Sequence, residues 1–183
     1  ISLRKAMTLS SYVFGQGQSI PTEYSCEVSA PKSPPLSWDN APANTQSFTL
    51  VCIDEDATKG RFVQWVVYNI PPELHELPEG VNMEEVGALV AVNGWKEHSY
   101  GALCPGLGQH RYVFKLNALD CMLQVDEKTA KYSTITNASD GHILATAKLL
   151  GVYERGMRVT IEENLDQRTK QRGEKRTKQR GEN

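Results

Sequence analysis

Four runs of β-branched and aromatic residues, at positions 45–53, 62–70, 86–93 and 111–119, are each fenced by Pro, Gly, Asn or Asp. Such runs read as strands, and short strands at this spacing predict a β-sandwich. Helix is expected in two places. The proline-fenced connection at 71–80 has room for one helical turn, and residues 143–153 carry Leu, Ala and Lys at helical spacing. Asp140 is placed to cap that second helix, and Gly151 to end or weaken its last turn.

With 183 residues, 39% of them hydrophobic, the chain can bury one sizeable core without a second domain. No run approaches the roughly 18 to 20 apolar residues of a membrane span. Ile1-Ser2-Leu3-Arg4-Lys5 lacks the charged-then-apolar pattern of a secretory signal, so a cytoplasmic protein is expected. The chain does not begin with Met, which leaves the alternative of a presequence removed upstream.

The net charge of −2 hides an asymmetry: residues 166–183 carry +4 and residues 1–165 carry −6. The expected organisation is therefore one domain over 1–165 and a basic tail over 166–183. The tail repeats Arg168-Thr169-Lys170-Gln171-Arg172-Gly173-Glu174 as Arg176-Thr177-Lys178-Gln179-Arg180-Gly181-Glu182 and holds almost nothing apolar, so it is expected to be disordered unless bound. Nucleic acid or an anionic membrane would be its partner, weakly, because Glu174 and Glu182 dilute the patch and no aromatic lies within it.

Chemistry concentrates in two segments. Ser99-Tyr100-Gly101-Ala102-Leu103-Cys104-Pro105-Gly106-Leu107-Gly108-Gln109-His110-Arg111-Tyr112 is a Gly/Pro-bent loop running into an aromatic strand that carries a histidine. Its amides suit an anion in a preset concave arrangement. About fifty residues upstream, Asp54 and Asp56 stand where an apolar strand ends, facing the same way if the strand continues. Read alone, each segment is equally a solvated turn.

Together these segments resemble the phosphatidylethanolamine-binding protein family, also called the Raf kinase inhibitor protein family, and its bacterial and archaeal branch in particular. The resemblance runs from Gly17-Gln18-Ser19-Ile20-Pro21-Thr22-Glu23-Tyr24-Ser25-Cys26 through Ser33-Pro34-Pro35-Leu36-Ser37-Trp38, the Asp54 to Asp56 segment and Gln64-Trp65-Val66-Val67-Tyr68-Asn69-Ile70-Pro71 to His110-Arg111-Tyr112-Val113-Phe114. It implies two antiparallel sheets with Greek-key connections and a C-terminal helix beside the ligand mouth. Departures are specific. Asp54-Glu55-Asp56-Ala57-Thr58 keeps the family's two carboxylates and loses both prolines; Gln64 replaces a histidine; Ala102-Leu103-Cys104-Pro105-Gly106 replaces Gly-Pro-Cys-Pro-Pro.

Cys26, Cys52, Cys104 and Cys121 lie too far apart for a metal-binding Cys-x-x-Cys pair, and no histidine flanks them at zinc spacing, so no metal or other cofactor is expected. Cys52 and Cys121 read as packed thiols. The resemblance places Cys26 and Cys104 at motif positions, and their pairing depends on a Cα separation that sequence does not give. Asn137-Ala138-Ser139 is a formal glycosylation sequence.

These readings converge on a non-enzymatic binding module with a small anion pocket lined by Asp54, Asp56, Gln64, Gly101, Ala102, Leu103, Cys104, Pro105, His110 and Tyr112. Loop amides, Gln64, a protonated His110 and the Tyr112 hydroxyl would donate to phosphate or carboxylate oxygens. Asp54 and Asp56 would orient those donors, keep His110 protonated or meet an ammonium group. The resemblance implies phospholipid headgroups or phosphorylated ligands, and regulation of a kinase or protease. Two alternatives differ in class: a protease inhibitor acting by surface contact independent of the pocket, and a cysteine hydrolase using Cys104 and His110 with Asp54 orienting the imidazole. No Gly-x-Ser-x-Gly elbow or P-loop is present, and Gly15-Gln16-Gly17 lacks the third glycine of a dinucleotide fingerprint.

Overall fold

The computed structural model describes residues 3–181. Two antiparallel sheets face each other across the core. The smaller holds β1 (Thr8–Ser10), β2 (Leu36–Asp39) and β5 (Glu76–Leu77) in the order β1-β2-β5. The larger holds β3 (Ser47–Asp54), β4 (Phe62–Ile70), β6 (Leu89–Val90), β7 (Gln109–Leu119) and β8 (Ile143–Glu154) in the order β6-β4-β3-β7-β8. Helix α1 (Tyr132–Ser139) lies in the connection between β7 and β8, and α2 (Ile161–Gly181) ends the described chain. No helix among the described residues is long and apolar enough to cross a membrane.

β3 is buried along its whole length because both faces of the large sheet are covered. Phe48, Leu50 and Cys52 point between the sheets and join Leu9, Trp38, Leu77, Phe114 and Leu116 in the main core. Val51 and Ile53 point the other way and pack with Tyr68, Leu123 and Ile135 under the β7 to β8 connection. Continuous apolar runs rather than alternation are what a strand buried on both sides requires. Asn69 pins that connection, its side chain donating to the Leu123 carbonyl and accepting from the Leu123 amide. Its backbone is left-handed, with φ 51°, a region that asparagine tolerates better than most residues with a side chain.

The structure corrects several sequence expectations. Residues 143–153 form strand β8 rather than a helix. Its Ala147, Leu149, Gly151 and Tyr153 are buried in strict alternation, and the ladder to β7 outweighs the helical propensity of Leu, Ala and Lys. Asp140 therefore caps no helix there and instead follows α1. Gly151 ends nothing; it sits opposite Tyr112, where a Cβ would lie 2.5 Å from Ile20 and 2.8 Å from Phe14. The run at 86–93 yields only the two-residue β6, and 71–80 yields a turn closed by Leu74 N–H on the Pro71 carbonyl, then β5. The glycosylation sequence falls inside α1 with Ser139 buried.

The described part of the tail is helical rather than disordered. Thr160 and Glu163 form a reciprocal capping box, Thr160 N–H donating to Glu163 Oε2 and Glu163 N–H to Thr160 Oγ1. Asn164, buried, donates to the Val13 and Ser19 carbonyls, and Arg168 donates to the Tyr12 carbonyl. From this docked first half the Lys, Arg, Gln and Glu residues, all good helix formers, carry the helix on through an exposed second half.

Gly151→Ala is expected to lower the unfolding free energy by about 1–3 kcal/mol through overpacking against Ile20 and Phe14. Urea denaturation checks it; an unchanged midpoint would mean that these side chains yield without cost.

Candidate functional site

Antiparallel pairing of β3 with β7 sets Asp54 opposite Tyr112, so His110, two residues back along β7, projects past the end of β3 on the same face. Asp54 Oδ2 accepts from His110 Nδ1 at 2.8 Å, with side chains only 5% and 7% exposed. The other Asp54 oxygen accepts from the Asp56 amide at 2.9 Å, and His110 Nε2 faces the Leu107 carbonyl at 3.3 Å. Both ring nitrogens thus face acceptors, a pattern that the doubly protonated ring satisfies with two N–H donors.

Gln64 reaches the same place through an irregularity in β4. Cys52 pairs with Trp65 and Ile53 with Val63, which leaves Gln64 as the extra residue of a bulge. Its side chain is buried, with Oε1 unpartnered, and its carbonyl accepts from the Gly101 amide at 2.8 Å. That bond ties the 101–106 loop to β4. On its other side the loop is tied to residues 24–26 by Leu103 N–H to the Tyr24 carbonyl and Cys26 N–H to the Leu103 carbonyl. A Cys26–Cys104 disulfide, Cα to Cα 5.3 Å, closes the contact.

Asp54, Gln64, Cys104 and His110 line a cavity of about 210 Å³ together with Ala57, Thr58, Phe62, Trp95, Pro105 and Gly106. Trp95 packs edge-on to Phe62 at 4.5 Å, and Gly101 makes room for it, since a Cβ there would fall 2.1 Å from the indole. Of the residues expected from sequence, Asp54, Gln64, Cys104, Pro105 and His110 meet at this cavity. Asp56, Gly101, Ala102, Leu103 and Tyr112 do not line it. Gly101 and Leu103 spend their amides on backbone bonds, Leu103 is fully buried, and Ala102 lies between them. Tyr112 is sealed beneath, where burial, then the Asp54 charge, pushes its phenol up. Asp56 lies beyond the end of β3 and is partly exposed, so the two carboxylates do not share a facing. Phe62 and Trp95 are additions that the sequence does not announce. Trp95 stands in a turn with no periodic pattern around it, and only the fold brings it to the mouth.

Asp56 instead clamps the strand end. Its carboxylate accepts from the Arg111 amide and from Arg111 Nε and Nη2, all within 2.9 Å. The side-chain bonds from Arg111, then its backbone N–H, hold the Asp56 carboxyl down at about 2, below the ordinary 3.8. Cys104, bonded to Cys26, is no thiolate in this form, so a hydrolase built on it requires the reduced protein.

Two other features stand apart from this cavity. A hollow of about 680 Å³ opens where Thr22, Glu23 and Glu27 face Arg158 and Glu162, and its carboxylates outnumber its one cation. At the opposite end of the large sheet, Asp120, Cys121 and His142 bring their ligand atoms within 4.8 Å of one another.

Because folding lowers the Asp56 pKa, the clamp's contribution is complete above pH about 4 and is lost as pH falls through about 2. At neutral pH, Asp56→Asn is expected to cost less than about 1 kcal/mol, the clamp being partly exposed. The gap to the parent should close between pH 4 and 2 in urea titrations, and a gap that persists at pH 2 would rule out the ion pair as its source.

Comparison with known proteins bears on the whole of this architecture. Residues 10–154 match the family model described as phosphatidylethanolamine-binding protein. A UPF0098 protein of Methanothermobacter thermautotrophicus is 38% identical over 155 residues, covering 82% of this chain and all of the relative. Among solved structures, CT736 of Chlamydia trachomatis, described as a phosphatidylethanolamine-binding protein homologue, superposes with a TM-score of 0.77 at 37% identity, covering 82% of this chain and 98% of its own. YbcL of E. coli, described as a member of the mammalian PEBP family, superposes with a TM-score of 0.73 at 25% identity, covering 82% and 99%. With its strand order, its Asp54 and His110 strand ends and a family match over most of its length, the chain belongs to the phosphatidylethanolamine-binding protein family.

Proposed function

We propose that the Asp54–His110 cavity binds a small oxyanion, the phosphate of a phospholipid headgroup or of another phosphorylated ligand, and that the protein acts as a binding module. One observation carries the reading: a buried imidazole that lines the cavity is held by a carboxylate and turns its second nitrogen toward the carbonyl of a glycine-flanked loop residue. A charged oxygen is a better acceptor than that carbonyl, so an anion would replace Leu107 at Nε2 and gain a charge-assisted bond. Leu107 lies between Gly106 and Gly108, and its side chain is exposed, so the loop can withdraw at small cost.

Size supports the same reading. A cavity of about 210 Å³ is smaller than the roughly 300–1,000 Å³ of sites that enclose a drug-sized molecule, so it takes a headgroup and leaves any acyl chain outside. Gln64 and Thr58 are further lining residues with side-chain donors, and Trp95 and Phe62 form an apolar wall. Regulation of a kinase or protease would be exerted from the surface around this mouth. A surface-acting protease inhibitor, by contrast, would keep its activity when the cavity is disabled.

Titration calorimetry with phosphoethanolamine and inorganic phosphate at pH 5.5 and 8 tests the proposal, with sulfate as an anion whose charge stays constant. Histidines ordinarily change charge between pH 5 and 8, so affinity should fall as pH rises, for sulfate as well, and His110→Ala should abolish binding. Equal sulfate affinity at both values would remove the His110 charge from the mechanism. In a second experiment, Gln64→His at pH 5.5 should tighten phosphate by about 1.5–3 kcal/mol, the worth of a hydrogen bond to a charged group. No gain there would show that the side chain at 64 does not face the anion.

A further inference from the structure

We propose that Asp120, Cys121 and His142 form a binding site for a divalent transition metal, zinc by preference, at the end of the large sheet remote from the cavity. Spacing in the sequence conceals it, since His142 lies 21 residues beyond Cys121 and neither belongs to a Cys-x-x-Cys or His-x3-His pattern. The fold supplies what the spacing does not. Leu119 and Ile143 are the last partners of the β7–β8 ladder, and the Asp120 amide donates to the His142 carbonyl at 3.0 Å just past them. Cys121 is fixed alongside by Ser47 Oγ, which donates to its carbonyl at 2.6 Å.

The donor set selects the metal. Thiolate, imidazole and carboxylate are all zinc ligands, whereas calcium and magnesium take oxygen alone. Three protein ligands leave the fourth tetrahedral position to water. With metal–ligand distances of about 2.0–2.3 Å, ligand atoms in a tetrahedron stand roughly 3.3–3.6 Å apart. Asp120 Oδ1 and His142 Nδ1 already lie 2.7 Å apart, and all three ligand atoms lie within 4.8 Å, so closure needs side-chain movement of about 1 Å rather than backbone movement. Asp120 and His142 are both near half exposed and free to make it. On binding, the metal–sulfur bond replaces the Cys121 S–H bond and the metal–nitrogen bond replaces the His142 Nδ1–H that faces Asp120; the thiol proton passes to solvent, and the bound imidazole is neutral with its hydrogen on Nε2. Ion and thiolate are then held where the chain leaves β7 and where it enters β8, and the metal joins the two strand ends.

Cobalt(II) is the probe, added to the full chain with its disulfide intact. The expected result is a sulfur-to-cobalt charge-transfer band that saturates at one equivalent, is bleached by zinc and is absent in Cys121→Ser. His142→Gln, at an exposed position, should weaken cobalt binding by at least about tenfold. Zinc should raise the thermal midpoint of the parent and leave that of Cys121→Ser unchanged. Absence of the band in the parent overturns the proposal, and so does a band that survives in Cys121→Ser, which would place the metal on another thiol. Neither result bears on the Asp54–His110 cavity.

Discussion

The contact between Asp54 and His110 is the constraint on which this architecture turns. Two groups that ordinarily prefer water are held together where almost none reaches them, and each is tolerable there because the other is present. Removing one partner of such a pair typically costs about 3–5 kcal/mol, since the remaining group is left unmatched. The requirement fixes the pairing of the two central strands: a slip of one residue between β3 and β7 would turn His110 to the opposite face and strand Asp54 in the core. The Asp56–Arg111 clamp and the Glu55 amide on the Arg111 carbonyl hold that register at the strand end, so outer contacts protect an inner one.

Strands whose surroundings agree with their composition were legible in the sequence. β4 emerges over Phe62–Ile70 as expected, and β3 and β7 shift by one or two residues at their ends. β8 was not legible, although Ala147, Leu149, Gly151 and Tyr153 do alternate, because Leu, Ala and Lys also satisfy a helical pattern and only the partner strand decides between them. The Thr160 and Glu163 capping box is readable from residue types alone, but the helix it opens has too few apolar residues to show an amphipathic stripe.

The site was legible where a motif fixes a side chain to a strand end, as for Asp54 and His110, and illegible where position depends on pairing. Gln64 lines the cavity from a position that a bulge offsets, and a bulge is a property of two strands. The shared facing expected of Asp54 and Asp56 fails because β3 stops at Asp54, so the alternation that would align the two carboxylates does not continue. Trp95 comes from a turn more than thirty residues from its partner Phe62 and has no local signature. The Cys26–Cys104 link needed a distance across 78 residues of chain.

That link also separates two tasks that loops usually perform together. The path of the 101–106 segment is set by a covalent bond and by main-chain bonds to Tyr24, Cys26 and Gln64, none of which depends on the side chains at 102 or 106. Identity at those positions is therefore released from holding the backbone in place. Ala102 and Gly106, where the family pattern has glycine and proline, stand at these positions. Such a loop is an adjustable rim on a fixed frame: its chemistry can be exchanged residue by residue, and a lineage can explore new ligands without first rebuilding the fold that presents them.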